Sequence, residues 1–215
     1  MINSAGELTA LVLDIGFLPF VANAIEGFSL EECTPSGRWF VRDVEGPWEW
    51  REAVADGGQI AYGKLLNKKA GFISPAWYPD FANWRRGGMD FAERYEQGLI
   101  PRMDKQIMDT LDDQGPMLSR DLKRMLGQKG FDTAITSLQM RTDITIQRLE
   151  YRRDAFGQAY GMGSTRFAKA ETVFGDLLVR MRFSEPPEAS LERLVAQVQG
   201  MFPEAAEKDI LRLVR

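Results

Sequence analysis

The sequence predicts an α+β protein, mostly helical, and three observations carry that prediction. Several segments repeat apolar residues at the three- and four-residue spacing of amphipathic helices. QIAYGKLLNKKAGFIS (Gln59–Ser74) reads as a β-hairpin turning near Asn67-Lys68. The stretch from Met103 to about Phe174 runs as three helical segments followed by a two-stranded ribbon. At 215 residues the chain holds one large or two small domains with ample core.

The chain opens on SAGELTALVLDIGFLPF, where Ser4 as N-cap and Glu7 form a capping box. Leu8, Leu11, Val12 and Ile15 then share one face of a helix ending near Gly16. Val21 to Val44 is irregular, with a short helical turn in GFSLEECTP and a short strand in RWFVRD. Pro47 opens the helix PWEWREAVADGG, which Gly57-Gly58 stops. After the hairpin, SPAWYPDFANWRRGG and DFAERYEQGL form short aromatic helices parted by Gly87-Gly88.

Met103–Met117 is an amphipathic helix closed by Gly115-Pro116. Leu118–Gly127 is a second, with Ser119 at its N-cap and Gly127 just past its end. Lys129–Asp143 gives a third, and Ile144–Ala170 a ribbon turning near Asp154–Gly157. Three helices and a basic hairpin predict a winged helix-turn-helix, whose third helix enters a major groove while the ribbon lies along a phosphate backbone. The link FSEPPEA (Phe183–Ala189) leads to two last amphipathic helices. The expected division is an aromatic-rich α+β part over residues 1–100, the winged helix over 101–182, and C-terminal helices over 183–215 packing back on the core.

Composition narrows the chemistry. No apolar run approaches the roughly 18–20 residues of a membrane span. The first helix carries Glu7 and Asp14 and lacks a basic leader, so no signal peptide is expected. A single cysteine, Cys33, excludes an intramolecular disulfide and a multi-thiolate metal site, which fits a cytoplasmic address. The chain has no histidine, which removes Ser-His-Asp and Cys-His nucleophiles, His-ligated zinc and the usual general base near neutral pH. Neither a cofactor nor a metal is expected.

The net charge of −4 and a pI near 5.1 argue against a non-specific nucleic-acid coat. The distribution argues for a local surface. Between Leu118 and Ala170 ten cations face five anions, a local +5 that leaves −9 on the rest. Phe131, Ile135 and Leu138 place the third helix on its core, so Thr133, Thr136, Ser137, Met140 and Arg141 lie nearer its open side. Arg120, Lys123, Thr133, Ser137, Arg141, Arg148, Arg152, Arg153 and Arg166 are therefore the expected contacts to double-stranded DNA. Gly157, Gly161 and Gly163 do not fit a phosphate loop and are expected to serve the bend of the wing. Winged helices also serve as protein-interaction modules, so a homodimer with a buried third helix is the reading from another class.

Eleven aromatic residues lie between Trp39 and Phe91, Phe40 among them, interleaved with cations such as Arg38, Arg51, Arg85 and Arg86. Most should form a core. Trp48, Trp50, Trp84 and Arg85 are the candidates for stacking a base or ligand. Glu49 and Glu52 are the carboxylates set among those rings, where a raised pKa would suit them to acid–base work.

The runs GFLPF, PWEWRE, IAYGK, KKAGFIS, FANWRRGG, SLQMRTD and QAYG together make the chain resemble the AlkZ-related family, bacterial winged-helix proteins distantly similar to the AlkZ/YcaQ DNA glycosylases. Those enzymes excise alkylated bases. They position water with a glutamine–aliphatic–glutamine or glutamine–aliphatic–aspartate motif. Its nearest match here is Gln139-Met140-Arg141, so the resemblance implies Gln139 as a catalytic candidate beside Glu49 and Glu52. Arginine at the last position opposes the positive charge that develops on the sugar. DNA binding without excision is thus the first expectation, and glycosylase-like base excision the alternative.

Overall fold

The computed structural model describes residues 1–39, 44–154, 156 and 159–215, with the side chains of all of these except 152, 153 and 159–162. The fold is α+β and mostly helical. Helix α1 (Ala5–Ile15) leads into β1 (Phe17–Pro19), α2 (Leu30–Cys33), a 3-10 turn (Ser36–Arg38) and α3 (Pro47–Asp56). The hairpin β2 (Ala61–Leu66) and β3 (Lys69–Ile73) follows, then α4 (Tyr78–Arg86) and α5 (Phe91–Glu96). Next come α6 (Arg102–Gln114), β4 (Met117–Leu118), α7 (Ser119–Leu126), α8 (Phe131–Met140), β5 (Ile144–Arg153) and β6 (Ala159–Lys169). The chain closes through α9 (Ala170–Phe174), α10 (Asp176–Val179), α11 (Pro187–Met201) and α12 (Glu207–Val214).

Ser4 caps α1 by accepting the Glu7 N–H, while the Glu7 carboxylate reaches back to the Asn3 N–H rather than to Ser4 itself. Gly16 ends the helix at φ 98°, and a Cβ there would stand 2.4 Å from the Trp77 ring, so glycine is required twice over. Directly beyond it lies β1, which the sequence does not announce. It pairs antiparallel with β3, Phe17 opposite Ile73, giving a first sheet in the order β1-β3-β2. Three residues carry too little alternation to register as a strand; pairing with the hairpin makes them one.

The larger hydrophobic cluster joins α1, this sheet, α3 and α4 to the C-terminal helices through Leu194, Val198, Ile210, Leu213 and Val214. Phe20 lies within 5.2 Å of Trp48 and 5.7 Å of Trp39, centroid to centroid, so much of the aromatic density is core. Polar clasps seat α11 on α4: Asn83 Nδ2 donates to Ser190 Oγ at 3.0 Å, and Arg193 pairs with Asp80 at 2.7 Å.

A second cluster gathers Ile107, Met108 and Leu111 of α6, Leu122 of α7, Phe131, Ala134, Ile135 and Leu138 of α8, and Ile144 and Phe167 of the ribbon. The second sheet runs β4-β6-β5. Its β4 is again too short to read in sequence, and it displaces the expected start of the next helix. Leu118 pairs with Arg166 and occupies the cap position, so Ser119 is the first helical residue and makes no capping hydrogen bond. Gly127 follows the end of α7, as the sequence predicts, at φ 92°. Gly157 at the ribbon turn, and Phe40 with the rest of the expected strand over 40–43, lie outside the described residues.

Between the clusters runs a buried ionic seam. Arg86 and Asp143, both with no exposed side-chain area, approach to 3.4 Å. Arg94 Nη1 donates to Asp143 at 3.3 Å, Arg86 Nη1 to Glu171 at 2.5 Å, and Arg141 pairs with Asp104. Three guanidinium groups thus face three carboxylates, the balance that burying charge demands.

Candidate nucleic-acid interface

Helix α8 shows two faces. Phe131, Ala134, Ile135 and Leu138 are buried in the second cluster, as the periodicity predicts. The opposite side is only partly open, because the β2–β3 hairpin covers one flank. Gln139 is 2 % exposed, and both ends of its amide are committed: Oε1 accepts the Lys64 N–H at 2.8 Å, and Nε2 donates to the Ile135 carbonyl at 3.1 Å. A Cβ on Gly63 would stand 2.6 Å from that Oε1, so the glycine of IAYGK makes room for the glutamine of SLQMRTD. Lys64 Nζ donates to Thr136 Oγ1 at 3.4 Å, and the Lys68 N–H to Met140 Sδ at 3.1 Å. What stays accessible is the strip with Thr133, exposed, and Ser137, half-buried.

Of the five expected DNA-contacting cations whose side chains are described, four are engaged by acids. Lys123 pairs with Asp132 at 2.8 Å, Arg148 with Asp56 at 2.5 Å and Arg166 with Glu150 at 2.6 Å; Arg166 also donates to the Pro116 carbonyl. Arg141 belongs to the buried seam through Asp104. Arg120 is exposed and forms no ion pair among the described residues. Arg152 and Arg153 lie on β5, with side chains outside those described. An exposed pair is worth about 0–1 kcal/mol, so a phosphate could open one cheaply. The carboxylate remains beside it, however, and offsets the cation.

Where α3 meets β5, a groove of about 490 Å³ is lined by Glu52, Ala53, Asp56, Arg148, Leu149, Glu150 and Tyr151. Its carboxylates outnumber its one cation, so it repels phosphate. Burial raises the Glu52 carboxyl above its ordinary value, although the Tyr151 hydroxyl donates to it and Arg51 stands nearby. Burial and the Glu52 contact push the Tyr151 phenol up to about 12. The Tyr151 ring crosses β6 at Gly163, where a Cβ would come 2.9 Å from Cζ. Close approach of a ring, rather than a bend of the wing, accounts for this glycine. Glu49 is exposed and caps α3 by accepting the Gly46 N–H at 2.8 Å.

Among the stacking candidates, Trp50 is core, 1 % exposed. Trp48 is half-buried, with the Arg51 guanidinium 4.1 Å from its ring centroid. Trp84 is half-buried on α4. Arg85 turns its head inward. Nε donates to the Val214 carbonyl at 3.1 Å, and the guanidinium lies 4.5 Å from the Phe81 centroid. Sequence reasoning did not nominate Tyr151 or the seam. A signal for the seam existed in the arginines of FANWRRGG and the RTD triplet, but charged residues read as surface until packing shows otherwise.

A protein-family model described as AlkZ related matches residues 2–215. No curated protein and no solved structure matches the chain. The described residues contain no helix long and apolar enough to cross a membrane and no group of three or more acidic or cysteine residues that could hold a metal.

Proposed function

The chain belongs to the AlkZ-related family, and on that footing we propose that it is a winged-helix protein that binds double-stranded DNA. The observation that carries this is the element order α6-β4-α7-α8-β5-β6 around a cluster of its own. That order matches a winged helix-turn-helix, in which β4 joins the sheet of the wing and the third helix offers an outer strip to a groove. Thr133 and Ser137 on that strip are small hydroxyl residues that fit a groove closely. The three-part division at about residues 100 and 182 belongs to the same proposal. Parts one and three share the larger cluster, to which Ala170 and Val179 of the middle part also contribute, while α6, α7 and α8 build the second cluster and serve as the reading head.

The test is fluorescence anisotropy of a labelled duplex across a salt series. Micromolar binding that weakens steeply with salt is the expected result. No change in anisotropy at low salt with micromolar protein removes the proposal. Base excision is the second reading, and one observation favours it: a half-buried carboxyl, Glu52, hydrogen-bonded to a tyrosine in an electronegative groove that suits a cationic base or sugar. Abasic-site formation on alkylated duplex, lost on Glu52→Gln, is what that reading requires. Gln139 would have to leave both of its hydrogen bonds to take part.

A further inference from the structure

We infer that the phosphate-binding surface of this protein lies on the β2–β3 hairpin tip and α12, beside the outer strip of α8, and that it holds the backbone of duplex DNA; the inference rests on the DNA-binding reading above. Of the ribbon cations whose side chains are described, Arg148 and Arg166 are matched by Asp56 and Glu150, whereas the cations here are not matched. Lys68, Lys208, Arg212 and Arg215 line a concave surface of about 460 Å³ floored by Met140 and Leu211. All four are exposed and form no ion pair among the described residues, and Lys64 of β2, outside this lining, reaches Thr136 on α8, the helix that carries Met140. Two acids share the first turn of α12 with Lys208: Glu207, which precedes it, and the half-buried Asp209, which lines the neighbouring pocket with Arg212; neither forms an ion pair with these cations among the described residues.

The spacing suits a polyphosphate. Lys208 and Arg212 share one face of α12, and Arg215, the residue just past its end, continues the spacing at i+7. Seven residues rise about 10 Å, the axial length of about three phosphates of one strand. The hairpin tip is placed rather than loose. Asn67 and Lys68 adopt φ 48° and 60°, and the Lys68 N–H is tied to Met140 on α8. Beneath the last turn of α12, Arg85 adds a guanidinium whose Nη1 and Nη2 are buried without a hydrogen-bond partner among the described residues, so the positive field is reinforced from below.

Duplex DNA fits this surface better than an anionic membrane. The large hydrophobic residues that are exposed include Leu13, Tyr95, Leu99, Met125 and Leu177, and none lines it. A membrane surface site needs apolar side chains to insert. On α8, the helix that carries Met140 of the lining, the accessible Thr133 and Ser137 are neutral hydroxyl donors for the same backbone.

The experiment compares two double variants of the full chain on one labelled duplex. Lys208→Ala/Arg212→Ala should weaken binding about tenfold at low salt and reduce the slope of log K against log salt by about 2. Arg148→Ala/Asp56→Ala, which deletes a wing ion pair whole, should bind within about threefold of wild type. Should the α12 variant fail to fold, Lys64→Ala/Lys68→Ala carries the same expectation. If wild type binds and the α12 and hairpin variants bind equally well, the inference falls and the DNA reading stands. If wild type binds no duplex, both fall. Capture by phosphatidylserine–phosphatidylcholine vesicles in place of duplex overturns the inference as well.

Discussion

Glu52 shows how one side chain can be read for chemistry and for stability from the same facts. Its carboxyl is raised by burial above its ordinary 4.5. Protonation is therefore easier in the folded state, so its stabilising effect is complete below about 4.5 and is lost as pH climbs through the raised value. Glutamine at this position still accepts the Tyr151 hydroxyl but carries no charge. Glu52→Gln should gain on wild type in melting temperature as pH rises from about 4 to about 7, then level off. A gap that narrows over that window would show the carboxylate to be stabilised rather than penalised. Gln139 illustrates the limit of motif transfer. The glutamine matches the first position of the glycosylase motif, yet here its amide joins Lys64 of the hairpin to Ile135 of its own helix.

At the scale of elements, the hairpin and α8 form a lock whose parts are 75 residues apart. β2 offers an edge beyond its pairing with β3, and side chains cover it: Gln139 on Lys64 N–H, and Thr145 Oγ1 on the Tyr62 carbonyl at 3.1 Å. Gly63→Ala drives a Cβ into Gln139 Oε1 and should cost roughly 1–3 kcal/mol in denaturant unfolding. With Gln139→Ala the clash disappears, so the two costs should not add. Additive costs would mean that hairpin and helix do not meet as described. Most long elements are legible in the sequence: the hairpin with its turn at Asn67-Lys68, the capped α1, and the apolar face of α8. The short ones are not. β1, β4, α9 and α10 have two to five residues each, too few for a period, and exist because a neighbour supplies their hydrogen bonds or contacts.

At the scale of the molecule, two hydrophobic clusters are bridged by the seam centred on Asp143, where Arg86, Arg94 and Arg141 converge. Arg86 also donates to the Thr142 carbonyl at 2.6 Å, while the Tyr78 hydroxyl, held protonated by burial, donates to the same oxygen at 2.7 Å. These bonds hold Thr142 at φ 62°, costly for a β-branched residue. Asp143→Asn leaves buried guanidinium groups uncompensated and should destabilise by about 3–5 kcal/mol. All five tryptophans lie between Trp39 and Trp84, so fluorescence reports the larger cluster and far-UV circular dichroism reports both. The two probes should shift together. Loss of the circular dichroism transition alone would mean that the seam does not couple the clusters.

The sequence by itself determined the class, the long helices, the hairpin, the family and the surplus of cations in the second half. Each depends on periodicity, capping or order along the chain, which are local and survive in one dimension. Only the tertiary structure decided which cations remain unpaired. An arginine's field is set by the acid that folding brings beside it: Asp56 reaches Arg148 across 92 residues, and Asp104 reaches Arg141 across 37. The same folding sets the hairpin tip against α8 and a bare basic helix face beside it, a neighbourhood that no linear spacing encodes.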